Sequence, residues 1–292
     1  MTILSAHYVI VFVITLFRFT LCSYSFDVVN DQRQEVLTFS GKAQVLEDVA
    51  DDINQFCQKN DFIEVCNEKS FMDQILMHAN RHVESKRLIE DIGIREECHG
   101  TVVGPDAAVL AEMAKEILAM QSNSLMKKYV EIGSYLGCST FIMANLTANN
   151  NVLIYAHDIW LENMTHLSSF SDPPPHVEDY FLKFYNGVIE RKLESTIIPI
   201  RGNSNYTLNI HRDSSISLAF VDGDHSYEGC LWDLRRLWPK MTSDGLIYVH
   251  DYWTLASNDQ VALCIKDFLD EISAQVSRVG TTTFARIQVS PL

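Results

Sequence analysis

Short apolar runs alternate with amphipathic stretches along the last two thirds of the chain. Strand-like runs fall at Tyr129–Ile132, Val152–Ala156, Thr196–Ile200, Leu218–Val221 and Leu246–Val249. Between and after them, helical spacing of apolar positions is expected over 139–147, 177–191, 227–238 and 258–273. Nearly continuous apolar strands separated by helices imply βαβ units and a parallel sheet covered on both faces. Two further strands, near Val276–Val279 and Thr282–Val289, leave too little sequence between them for a crossover helix. They are expected to form an antiparallel hairpin at one edge. The fold class is therefore α/β, a doubly wound and mostly parallel seven-stranded sheet, over residues 101–292.

Residues 26–100 read as an N-terminal helical cap. Val45, Leu46, Val49, Ile53 and Phe56 recur at helical spacing, and 71–88 repeats the pattern less cleanly. Pro105 and Asp106 open a helical run to Met120. Residues 26–39 are polar and mixed, an extended lead-in. The extreme N-terminus differs. Tyr8–Phe17 is apolar except for Thr15 and stops at Arg18. That run is shorter than the ~20 residues a bilayer core needs. Cys22, Ser23 and Ser25 follow, short side chains of the kind a signal peptidase accepts. A cleaved signal peptide over 1–25 is expected, with no stable membrane span afterwards. No Lys or Arg precedes the run, and an uncleaved anchor or a buried N-terminal strand is the alternative.

Two features agree with passage through the secretory pathway. Asn145-Leu-Thr147, Asn163-Met-Thr165 and Asn205-Tyr-Thr207 are N-glycosylation sequons. Beyond Cys22 there are six cysteines, at 57, 66, 98, 138, 230 and 264, an even number that permits disulfides. Cys57 and Cys66 are close enough in sequence to pair, whereas Cys138 and Cys230 read as small core residues. No C-x-x-C pair offers a zinc site. The net charge of −15 argues against nucleic acid as a partner and is sufficiently explained by solubility.

In a doubly wound sheet, ligands bind outside the carboxyl ends of the strands, near the reversal of strand order. Gly133 and Gly137, after the first strand, make a turn with no side chain in a ligand's way, and Ser139 and Thr140 suit the N-cap of the next helix. No glycine stands at position 135, so a pyrophosphate cradle is disfavoured against a pocket for a phosphate-free cofactor. Asp158 ends the second strand 21 positions after Gly137, the spacing of a carboxylate that grips a ribose diol. Trp160 is placed to stack on a base, and Asn203 lies in a small polar turn able to approach the base edge. A capping Asp158, a core Trp160 and a plain turn at 203 are the structural alternatives. The fourth strand ends in Asp222-Gly-Asp-His225 and the fifth in His250-Asp251. Asp222, Asp251 and His250 could converge on one divalent cation: oxygen donors suit Mg²⁺ or Ca²⁺, and the imidazole shifts the choice toward Mn²⁺. His225 and His250 are candidate general bases.

The turn Glu131-Ile-Gly-Ser-Tyr-Leu-Gly-Cys-Ser-Thr140, Asp158-Ile-Trp160 and Val221-Asp-Gly-Asp-His-Ser-Tyr-Glu-Gly229 resemble the class I S-adenosylmethionine-dependent methyltransferases. Within that class the motifs are similar to catechol-type and macrolide-sugar O-methyltransferases and the cephalosporin-hydroxylase relatives. The resemblance covers about 101–289 and implies the Rossmann-like methyltransferase fold. It further implies that Gly133 and Gly137 face the methionine part, Asp158 the ribose, and Asp222 the methyl-transfer centre. Glu131, Ser134, Ser139, Trp160 and Asn203 join the implied cofactor-binding set. His250 stands where metal-dependent relatives use an oxygen ligand, so a divalent cation is left open. The implied acceptor is a hydroxyl of a small molecule or glycan. A secreted binding protein on the same fold and a hydroxylase-like relative are the alternatives, since fold alone does not fix function. Residues 161–176, with Pro173-Pro-Pro175, read as a lid that sets specificity.

Overall fold

The computed structural model describes residues 23–30, 33–40, 55, 58, 69–94, 97–98, 106–120, 126–160, 179–252, 260–272, 274, 276–279 and 282–289. The chain divides into two units, 1–85 and 86–292. In the first, β1 (Ser23–Asn30) and β2 (Arg33–Ser40) pair antiparallel from Ser23↔Ser40 to Asn30↔Arg33. The extended lead-in is thus a hairpin, in keeping with the period-two spacing of Tyr24, Phe26 and Val28 on one strand. Helix α1 (Lys69–Ile92) takes in the helical stretch expected over 71–88 and stops at Gly93, whose φ of 72° is a left-handed helix ending. The apolar run at 8–17, the helix expected at 43–56 apart from position 55, the pair Cys57 and Cys66, and the lid at 161–176 lie outside the described residues. No helix among the described residues is long and apolar enough to cross a membrane.

In the second unit the elements alternate as the apolar runs require. They are α2 (Asp106–Ala119), β3 (Lys127–Ile132), α3 (Cys138–Leu146), β4 (Val152–Asp158), α4 (Tyr180–Glu190), β5 (Ile197–Arg201) and the short α5 (Ser204–Thr207). Then follow β6 (Ile216–Val221), α6 (Tyr227–Leu237), β7 (Met241–Val249), α7 (Gln260–Ile272), β8 (Val276–Arg278) and β9 (Ala285–Gln288). The sheet order is β5-β4-β3-β6-β7-β9-β8, with β9 antiparallel to both its neighbours and the remaining pairs parallel. The chain winds outward from β3 through β4 to β5 and then returns to build β6 and β7 on the other side. Strand order therefore reverses between β3 and β6, and that crevice is where such a sheet receives a ligand.

Side chains alternate across the sheet and feed two cores. Tyr129, Leu218, Phe220, Leu246 and Tyr248 pack with α2, α3 and α4 on one face. Val130, Ile132, Ala219, Val221, Ile247 and Val249 pack with α6 and α7 on the other. Both faces are covered, which is why the strands read as unbroken apolar runs.

Two cysteines expected to be plain core residues are disulfide-bonded. Cys138, the first residue of α3, pairs with Cys98, and Cys230 of α6 pairs with Cys264 of α7. Each bond joins segments 40 and 34 residues apart in sequence, which the tertiary fold alone brings together.

Candidate active site

The carboxyl ends of β3, β4 and β6 are stitched to each other at a single level. Gly133 N–H donates to the His157 carbonyl at 2.9 Å, and Asp222 N–H to the Ile132 carbonyl at 2.9 Å. Gly133 has a φ of 90°, and a Cβ there would stand 2.0 Å from the Asp222 carbonyl oxygen. Only a glycine lets the turn leave β3 so close to the backbone of β6. Gly137 (φ 96°) is the N-cap of α3. The helix begins one residue before Ser139, so Ser139 and Thr140 are not its caps. Their hydroxyls donate instead to Glu131, at 2.6 and 3.0 Å.

Glu131 is wholly buried and receives a third bond, from the Tyr129 hydroxyl at 3.3 Å. Burial pushes its carboxyl up to about 7, against the lowering effect of the Ser139 and Thr140 hydroxyls. It holds the first turn of α3 to β3 and shapes the glycine turn from beneath.

Asp158 meets the glycine turn directly. One carboxylate oxygen accepts from the Tyr135 amide at 2.8 Å, and the other from the Trp160 amide at 2.7 Å. Burial raises its carboxyl, partly offset by the backbone amides that bond it. Tyr135 (φ 46°) and Trp160 (φ 38°) are left-handed non-glycine residues, a costly conformation that gathers where function over-determines the backbone. Beside them the Ser134 hydroxyl is buried without a hydrogen-bond partner among the described residues.

Two members of the expected cofactor set stand otherwise. Trp160 is not a free stacking platform. Its indole packs between Phe181 and Phe184, with ring centroids 5.1 and 4.9 Å away, and its N–H donates to the Tyr135 carbonyl at 2.7 Å. Aromatic burial outweighs exposure for a ring of this size, so Trp160 fixes the turn. The Asn203 side chain is turned inward on its own short helix as the α5 N-cap, accepting from the Asn205 amide at 2.9 Å.

The ends of β6 and β7 carry a second cluster. His250 Nδ1 lies 3.2 Å from Asp222 and 3.4 Å from Asp251, while Nε2 lies 3.4 Å from Asp106 and 3.3 Å from the Thr283 hydroxyl. His225 bridges the same two acids, with Nε2 3.3 Å from Asp222 and Nδ1 3.3 Å from Asp251. Burial alone would raise the Asp222 carboxyl, but His250 and His225 outweigh it and hold it at about 2. Burial alone would lower His250, but Asp222, Asp106 and Asp251 raise it well above the usual imidazole range. The hydrogen bond to Asp222 raises His225 against its own burial. His225 is open to solvent, with 52% of its side chain exposed, while His250 keeps only 11%. Asp222, His250 and Asp251 offer donor atoms within 4.8 Å of one another, a spacing a single cation can span. The cluster thus brings together every residue expected to work on the acceptor. It adds Asp106 and Thr283, which the sequence did not mark because Asp106 reads as a helix start and Thr283 as part of a strand.

The family described as "Methyltransferase domain" matches residues 130–252, from the glycine turn to the end of the acid–histidine cluster. Over that stretch, 123 of the chain's 292 residues, the chain is similar to this family. Its fold is shared with solved structures of low identity. The O-methyltransferase NovP is 12% identical, with a TM-score of 0.54 over 72% of this chain and 100% of that one. The methyltransferase PaMTH1 of Podospora anserina, solved with SAH bound, is 11% identical, with a TM-score of 0.51 over 77% and 97%. No curated protein matches the chain.

Proposed function

We propose that this domain moves the methyl group of S-adenosylmethionine to a hydroxyl oxygen of a small molecule or glycan in the secretory pathway or outside the cell. The observation that carries the reading is the contact between the glycine turn and Asp158, 2.8 Å from the Tyr135 amide. The residues present fit the cofactor. Each Asp158 oxygen keeps acceptor capacity for a ribose hydroxyl. The bare Ser134 hydroxyl offers a buried polar partner, and buried polar groups are rarely left unpaired. The cofactor supplies a methyl on a positive sulfur, itself a good leaving group. The chain's own task is to align the acceptor and take its proton. His225 is the exposed imidazole, and Asp222 and Asp251 stabilise the imidazolium formed when the hydroxyl proton arrives. Held beside that imidazole, the cofactor would give its methyl to the oxygen and leave as the neutral thioether.

A divalent cation also fits the cluster. Asp222, Asp251 and the Nδ1 of His250 would hold it, and it would lower the hydroxyl pKa. A donor set of two carboxylates and one imidazole favours a Mn²⁺-like ion over Mg²⁺. Binding of Mn²⁺, counted by the loss of its free resonance signal, is expected in the wild type and absent in Asp251→Asn. Undiminished transfer of labelled methyl in excess chelator would remove the cation and leave His225 as a metal-free base.

The two disulfides support an oxidising compartment, since such bonds persist there and are rare in cytosol. The apolar N-terminal run and the exposed sequon residue Asn145 agree with it. Titration calorimetry with S-adenosylmethionine tests the central reading. The wild type should bind, and Asp158→Asn should lose about 10- to 100-fold in affinity, as expected when hydrogen bonds to a charged acceptor are weakened. Equal affinity in the variant removes the ribose role. No binding at all by the wild type would favour a non-catalytic protein on this fold.

A further inference from the structure

The glycine turn between β3 and α3 is costly to hold in one shape. Gly133 (φ 90°), Tyr135 (φ 46°) and Gly137 (φ 96°) are all left-handed. A backbone of this kind persists only where its surroundings fix it. The near end is fixed by the Gly133 amide on His157, and the middle by the Tyr135 amide on Asp158. The far end is the start of α3, and there the usual device is missing. Helices α4, α5 and α6 begin on side-chain caps, at Asp179, Asn203 and Ser226. Helix α3 begins on Gly137, with no side-chain cap and no acid in its first turn.

Its first residue, Cys138, instead carries the bond to Cys98. The anchor at Cys98 is firm. Its amide donates to the carbonyl of Ile94 at 3.1 Å, and Ile94 is wholly buried. Its neighbour Glu97 pairs with Arg191 at 2.8 Å. The same guanidinium donates to the Gly93 carbonyl at 3.3 Å and lies over the Phe141 ring of α3. Glu131 also holds this helix start, but through hydrogen bonds from the rotatable hydroxyls of Ser139 and Thr140. Cys230–Cys264 has no comparable place. It joins α6 to α7 in the core on the opposite face of the sheet, and α6 already has its Ser226 cap.

We propose that the Cys98–Cys138 bond is the clamp that sets the glycine turn, so that the site gains its affinity for S-adenosylmethionine only when this pair is oxidised. Cys230–Cys264 serves stability alone. The inference rests on the reading of the turn as the cofactor site. Closing the bond takes two electrons and two protons from the two thiols. A small-molecule disulfide accepts them and leaves as two thiols. Cys98 and Cys138 are both buried, so the closed bond is shielded from reductants in solution. Competence is therefore acquired once, as the chain matures.

The test compares Cys98→Ala/Cys138→Ala with Cys230→Ala/Cys264→Ala in the full chain. The two bonds join residues 40 and 34 positions apart, so they restrict the unfolded chain to nearly the same degree. Comparable losses of stability are expected, and a purely structural role predicts nothing more. Amide exchange over 133–141, read as deuterium uptake without cofactor, should quicken in the first variant and match the wild type in the second. If the freed turn holds its competent shape about a tenth of the time, affinity for S-adenosylmethionine falls about 10-fold in the first variant alone. Unchanged exchange in the first variant, or equal quickening in both, would overturn the proposal. If the first variant does not fold, Cys230→Ala/Cys264→Ala carries the test. It is reduced with dithiothreitol and reoxidised with glutathione disulfide, and alkylation with mass mapping follows Cys98 and Cys138. Exchange over 133–141 should slow as that pair closes, while β6 stays protected throughout. Exposure of β6 together with the turn would make the bond a staple of the whole fold and overturn the clamp. Calorimetry keeps the two readings apart. Unbound cofactor in the oxidised wild type sinks the methyl-transfer reading, while exchange over 133–141 still decides the clamp.

Discussion

Gly133→Ala is expected to destabilise the domain by about 4 kcal/mol and to abolish binding of S-adenosylmethionine. Two costs add. At a φ of 90° an L side chain is strained, by roughly 1–2 kcal/mol. The larger cost is steric. The new methyl would stand 2.0 Å from the Asp222 carbonyl oxygen and 2.5 Å from its carbon. Neither atom can swing away, because the Asp222 amide is bonded to Ile132 and the His250 amide to the Val221 carbonyl. Overpacking of this kind costs roughly 1–3 kcal/mol, and more where backbone must move. Relief requires β3 and β6 to part at the level where the cofactor is expected. Gly137→Ala is the control. Its methyl would meet Phe141 and Phe184 ring atoms at 2.6 and 3.0 Å, which are side chains able to shift. It should cost about half as much and weaken binding without abolishing it. Urea midpoints and calorimetry on both variants check the pair, and equal losses would refute the backbone argument.

Much of that geometry was legible in the chain because its signals were local. β3, β4 and β6 are apolar on both faces, so each stood out as a run with the chemistry-bearing residues directly after it. β7 was legible only from Leu246. Its first residues, Met241–Gly245, include the exposed Ser243 and Asp244, and the register with β6 shifts between Ile216 and Leu218. A bulge of this kind has no apolar pattern to announce it. The glycine turn, Asp158, Asp222 and the His250-Asp251 pair were readable because strand ends converge in a parallel sheet. Partners that come from elsewhere were not readable. Asp106 lies on a helix well before β3, and its meeting with His250 is a product of packing. The disulfides were hidden for the same reason, since a bonded cysteine and a core cysteine are equally apolar in sequence. Trp160 and Asp158 show a different limit. Spacing placed them at the rim but could not say which way the indole would turn or that backbone amides already occupy the carboxylate.

A pair of histidines that sequence reading passed over should govern how the fold responds to acid. His157 is the penultimate residue of β4, one position before Asp158, and alternation turns it to the face of the sheet opposite Asp158. There it meets His211 at 3.0 Å, with the Thr207 hydroxyl 2.9 Å from its other nitrogen. Both rings are almost fully buried. Burial, reinforced by the neighbouring His211, lowers His157 to about 3, and burial with Lys128 and Lys240 lowers His211 to about 4. In the unfolded chain both return to about 6.5. Above that value neither state is charged and the pair contributes its full stability. As pH falls below 6.5 the unfolded chain takes up two protons that the folded one refuses, and stability declines until the folded values are reached. Each such proton is worth about 1.4 kcal/mol per pH unit. Glu131, raised to about 7, and Asp233, raised to about 6, act in the opposite sense, because they hold protons in the fold that the unfolded chain releases. The four slopes nearly cancel, so the wild type is expected to lose little stability between pH 6 and 4.5. The double variant His157→Gln, His211→Asn removes only the histidine half of that balance. Its stability should therefore rise as pH falls, diverging from wild type by about 2.7 kcal/mol per pH unit, or about 4 kcal/mol across the window. Urea denaturation at closely spaced pH values measures the divergence directly. Parallel curves would mean that the two imidazoles already accept protons in the folded state, and that the pair is not the neutral buried contact its surroundings demand.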